Sequence, residues 1–190
     1  MTSPRTNASP RRQFLHATVG AATVFAAAGT AGCQGAQTDD RVLRFALLAE
    51  ASDEVVRLAQ AGPLGSTAAW NWAQTLEHCA QSIEYSMTGY PQPKSALFQR
   101  TVGAAAMGFF AWRGRMSHDL AEPIPGAPAL AAGADAAQAL ARLQGAIRAF
   151  SQWAGPLQPH FAYGALDKAA YERAHAMHLA NHLSAFRAKS

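Results

Sequence analysis

The chain has 190 residues, is 49% hydrophobic and 15% charged, and carries a formal charge of +4 with a pI near 9.4. That length allows one good hydrophobic core, and the abundance of Ala, Leu, Gln and Arg over Val, Ile and Thr favours helices. The basic balance does not mark a nucleic-acid partner, because from Cys33 onward 13 Lys plus Arg face 12 Asp plus Glu and the excess sits in the leader.

Residues 1–33 have a basic start, an apolar run over about residues 17–28 and a small-residue stretch ending Gly29-Thr30-Ala31-Gly32-Cys33. This is signal-peptide anatomy, with an apolar run too short for a membrane span. Within it, Arg11-Arg12-Gln13-Phe14-Leu15 resembles a twin-arginine export signal, with Pro10 a mild departure. Thr30-Ala31-Gly32-Cys33 resembles a lipobox, with Thr30 where Leu is usual, so Cys33 is the candidate lipidation site. If Cys33 is acylated, Cys79 is the one thiol left and reads as a small buried hydrophobe.

Residues 34–40 form a polar linker, and a dense apolar stretch of open type follows to Leu48. Ser52-Asp53-Glu54 reads as a helix start, with the helix running to Gln60 and stopping at Gly62-Pro63. A second helix over residues 69–87 has an apolar stripe of Trp72, Leu76, Cys79, Ala80, Ile83 and Met87. Its other side carries Asn71, Gln74, His78, Gln81, Ser82 and Tyr85. That side is polar yet has no Lys or Arg, which is unusual for a face that simply meets water. Phe98, Val102, Ala105, Phe109 and Trp112 fit one face of a third helix, followed by a long Pro- and Gly-rich loop. Residues 134–154 place Leu140, Leu143, Ile147, Phe150 and Ala154 on a helical seam. Asp167 is a plausible N-cap for a last helix with an apolar edge of Leu179, Leu183 and Phe186.

On that last helix, His178 and His182 lie about 40° apart and His175 about 60° from His178. A pair at i, i+4 can give two ligands to one metal ion. One helix cannot close such a site, and periodicity alone leaves His78 open between a solvated side chain and a ligand.

The segments Leu76-Glu77-His78-Cys79-Ala80-Gln81-Ser82-Ile83-Glu84-Tyr85, Gly89-Tyr90-Pro91, Arg113-Gly114-Arg115-Met116, Pro159-His160-Phe161 and His178-x-x-x-His182-Leu183 occur in this order around the Pro-rich loop. Together they resemble the DinB-like superfamily, and more specifically a branch described only as a domain of unknown function, over residues 41–187. The resemblance implies an all-α, DinB-like four-helix bundle with long loops spanning residues 41–190. It also implies a divalent metal held by His78, His178 and His182. His175 and His160 are candidates for the layer behind these ligands, and the role of His118 stays open.

Three imidazoles with an open position suit a catalytic zinc site, and nickel or iron equally fit such a donor set. Tyr85 shares a helical face with His78 and is the candidate polar wall or catalytic residue. The first expectation is therefore an exported, periplasmic or lipid-anchored metal-dependent hydrolase or transferase acting on an unknown small molecule. Some DinB-like members resemble transferases that use cytosolic thiols, a substrate class that export argues against. The alternative is a metal-binding or interaction protein of the cell envelope without turnover. Membrane contact is expected only through the signal or a lipid anchor at Cys33, and a homodimer is left open. Haem has no support, since no Cys-x-x-Cys-His occurs.

Overall fold

The computed structural model describes Met1 and residues 41–189; the expected export signal and linker, with Cys33, fall on residues outside the described ones. The chain divides into two units, Met1–Gly35 and Ala36–Ser190. In the second, the order is α1 (Leu48–Gln60), β1 (Leu64–Ser66), α2 (Trp72–Thr88), α3 (Ala96–Phe98), a π turn (Gln99–Gly103), α4 (Ala104–Arg113), α5 (Ala136–Gln152), α6 (Lys168–Leu183) and β2 (Phe186–Ala188). The described residues are mostly helical, as expected. A short antiparallel pair, β1 with β2, was not foreseen; it sets Gly65 opposite Arg187 and so moves Phe186 off the last helix into a strand. Among the described residues no helix is long and apolar enough to cross a membrane.

Local chemistry fixes most helix starts. Asn71 accepts from the Gln74 amide N–H while the Gln74 side chain accepts from that of Asn71, a reciprocal cap for α2. Asp135 and Asp167 cap α5 and α6 through the N–H groups of Gln138 and Ala170. The first helix starts earlier than Ser52, because the Glu50 carboxylate reaches back to the N–H groups of Ala46 and Leu47. Ser52 and Asp53 therefore sit inside α1, where Leu48, Ala51, Val55 and Leu58 form its buried face.

Helix α2 packs on α5 and α6, and α1 packs on α6 and α5. Val55, Leu76, Ile83, Leu143, Phe150 and Leu179 belong to the core between them. Cys79 is a buried free thiol in that core, its pKa pushed up by burial. Arg142 of α5 grips Glu84 with two nitrogens, at 2.6 and 3.0 Å, and also meets Glu77. This fork is part-exposed, so it sets the register of α5 along α2 more than it stabilises the pair.

The α3–α4 segment lies differently from its sequence pattern. Its apolar stripe faces outward, with Val102, Phe109 and Trp112 all exposed, whereas the side that packs inward carries Gly103 and Met107. The reason is a close backbone approach: a Cβ at Gly103 would stand 1.9 Å from the carbonyl oxygen of Ala162. Gln99 secures the same contact by donating to the carbonyls of His160 and Phe161. Only the hydrogen side chain fits there. Gly103→Ala should thus destabilise the protein by about 1–3 kcal/mol. Gly108→Ala, with nothing within 4 Å of the new methyl, should stabilise it by about 0.5–1 kcal/mol. Urea unfolding of the two variants checks both signs.

Candidate metal centre

His78 projects from α2 toward His178 and His182 on the last turns of α6. The His178 Nε2 lies 3.2 Å from Nε2 of His78 and 3.1 Å from Nε2 of His182. One nitrogen from each ring falls within 4.8 Å of the other two, the spacing of a group that could hold one metal ion. The ring centroids are 4.6, 4.7 and 5.0 Å apart. His178 Nε2 has one hydrogen or one lone pair to offer, yet two nitrogens are aimed at it. A cation among three lone pairs satisfies all of them at once.

The electrostatics agree with that donor set. Burial, and secondarily the charge His118 would carry, lower the His78 pKa to about 4. Burial first and the neighbouring imidazoles second hold His178 and His182 well below the usual value. All three are therefore free bases at neutral pH, the form that ligates.

Two further rings complete the surroundings. Trp70, just before α2, stacks on His182 at 6.2 Å and 10° and approaches His78 at 4.9 Å. His118, in the loop after α4, lies 5.2 Å from His178 and 5.0 Å from His182. Its Nδ1 is 2.9 Å from the Asp119 carbonyl, which can only accept, so Nδ1 bears the hydrogen and Nε2 keeps its lone pair. Trp70 carried no sequence signal. His118 sits in a loop, where periodicity has nothing to say about contacts.

The polar side of α2 is explained by the same loop. Asn71, Gln74 and Gln81 donate their side-chain amides to the carbonyls of Ala132, Leu130 and Pro128. The face lacks Lys and Arg because it meets backbone rather than water, and His78 lies within it. Tyr85 shares this face but lies about two turns, roughly 10 Å, beyond His78 along the axis. It is half-buried against Tyr90, their rings 5.7 Å apart, and is not among the side chains that line the cavity beside the centre.

That cavity, of about 310 Å³, is bordered by His78, His118 and His178 and by Phe98, Met116, Ile124, Phe161 and Tyr163. Lys94 and Glu122 are the charged residues on its border. His160 and His175 also line it, but neither is hydrogen-bonded to a ligating ring among the described residues. His160 accepts at Nδ1 from the N–H groups of Ala162 and Tyr163 and stacks on the Tyr163 ring at 4.3 Å. His175 is held between Phe150 and Tyr171, and its buried Nε2 has no hydrogen-bond partner.

Burial lowers the pKa of both His160 and His175 to about 3, with the neighbouring His175 adding to the shift of His160. Their unfolded values lie near 6.5. A depressed folded value means that stability is complete above pH 6.5 and is lost as the pH falls toward 3, since the unfolded chain then binds more protons. In chelator-treated protein this loss should amount to a few kcal/mol by about pH 4. Urea midpoints between pH 7 and 4 measure it, and a flat profile would show that these imidazoles are charged in the fold.

Residues 37–189 match the model of a family described as a protein of unknown function, DUF1569, and the chain belongs to that family. No curated protein and no solved structure matches the chain.

Proposed function

We propose that this DUF1569 protein binds one divalent cation through Nε2 of His78, His178 and His182 and uses it in hydrolytic or transfer chemistry on a small molecule. The observation that carries the reading is the convergence of three uncharged ring nitrogens on a single point. Zinc is the first expectation, with nickel and iron served by the same donors. The arrangement in which α2 and α1 each pack on both α5 and α6 supports a DinB-like four-helix bundle. In this reading the leader directs export by a twin-arginine route to the periplasm, with Cys33 either acylated as a lipid anchor or removed with the signal.

A bound cation supplies Lewis acidity, lowering the pKa of a water or a substrate thiol and polarising the bond under attack. The remaining roles belong to the chain. Phe98, Phe161, Met116 and Ile124 line the cavity with apolar surface that excludes bulk water from a substrate. His118 Nε2 is the free base beside the centre and is the group assigned to take up a proton. Trp70 packs on two of the ligating rings and restrains their orientation.

The reading without turnover is favoured by one observation. Among the described residues, the carboxylate on the border of the cavity is that of an exposed residue, Glu122, and no carboxylate joins the three-His group.

Metal analysis of purified protein beside His78→Ala and His182→Ala decides the centre. One ion per chain is expected for the parent, with affinity reduced about 100-fold or more in either variant. Equal metal content in all three would remove the three-His site. Esters, amides and thiol conjugates are the substrates to screen. With one that turns over, His118→Asn should retain the metal and lose about 100-fold or more in rate.

A further inference from the structure

We propose that the outward face of the α3–α4 segment is a docking surface for an anionic lipid bilayer. Six large hydrophobic side chains are exposed between residues 41 and 189, and four of them, Leu97 (69%), Val102 (58%), Phe109 (49%) and Trp112 (81%), lie on this one segment. The Phe109 and Trp112 rings are 5.9 Å apart and form a single aromatic surface. The face cannot turn inward, because Gly103 against Ala162 and Gln99 on two carbonyls fix the opposite side.

The charge around the face selects its occupant. From Tyr85 to His118 the chain has no Asp or Glu, but it has Lys94, Arg100, Arg113 and Arg115. None of these four pairs with a carboxylate among the described residues, and the Arg113 guanidinium lies over the Phe109 ring at 5.6 Å. Without these four, the chain from Cys33 onward has 9 Lys plus Arg against 12 Asp plus Glu, so the positive charge is concentrated in this stretch of the chain. An apolar helical stripe with Trp and Phe, rimmed by cations, fits the headgroup region of an anionic membrane. A second copy docking through the same face by two-fold symmetry would set Arg100 and Arg113 against their own counterparts. The bilayer is the occupant that satisfies both the apolar surface and the charge.

The test uses the full chain with vesicles of phosphatidylglycerol and phosphatidylcholine whose acyl chains are brominated, so that lipid contact quenches tryptophan. Trp112 is the reporter, since Trp70, Trp72 and Trp153 are all part-buried. Quenching should be at least about tenfold more sensitive to phosphatidylglycerol than to phosphatidylcholine. It should be mostly abolished in Trp112→Phe, a variant that leaves the fold and vesicle affinity nearly intact. Arg100→Glu with Arg113→Glu should weaken binding to phosphatidylglycerol by more than about 20-fold, at about fivefold per cation removed. Three results overturn the proposal: equal response to both lipids, quenching that survives Trp112→Phe because contact is made elsewhere, and a dimer in solution that Trp112→Glu converts to monomer.

Discussion

Three imidazoles packed ring against ring between α2 and α6, with the part-exposed His118 of the loop after α4 stacked on two of them, can share a dry interior only while the three are uncharged. The depressed basicity of His78, His178, His182 and His118 expresses that constraint, and burial is its leading cause at each. Much else follows from it. The loop that carries His118 must be held down, which the amides on the polar side of α2 accomplish. Trp70 must cover the rings nearest the start of α2. The neutral nitrogens that result are also the ones a cation would take without displacing a proton, so the fold and the proposed chemistry ask for the same protonation state.

The neighbouring His160 and His175 obey the same constraint without joining the centre. Their hydrogen bonds and stacking partners are Ala162, Tyr163, Phe150 and Tyr171 rather than the ligating rings. They extend the uncharged interior along the cavity wall. A substrate there would meet aromatic and aliphatic surface over most of its area, with polar groups at the metal centre and at Lys94 and Glu122. This suits a small molecule with one polar end better than a uniformly charged one.

Several parts of this arrangement were legible in the chain itself. The cap at Asp167 is local chemistry, and the four-residue spacing of His178 and His182 puts them on one helical face whatever the tertiary structure; Asn71, read as part of a helix from residue 69, instead caps α2. His78 was different. It lies a hundred residues from its partner, so only the resemblance to a family supplied it. Ser52 misled because a hydroxyl followed by acids is a frequent helix start, whereas Glu50 reaching back to Ala46 fixes the true one. The stripe from Val102 to Trp112 misled for a deeper reason. Periodicity shows that a helix has an apolar face but not that anything covers it, and the packing side of this helix was written in a single glycine.

The hold of α2 on the loop before α5 has a consequence for how the chain tolerates changes in length. Pro128, Leu130 and Ala132 are alternate residues, and their three carbonyls accept from three side-chain amides of α2 and its cap. Gln81, Gln74 and Asn71 thus hold the loop at a fixed spacing. One residue inserted within 128–132 shifts these carbonyls out of step and leaves side-chain amides without acceptors at the wall of the centre. The loop thus has a segment whose length is set by the helix beneath it.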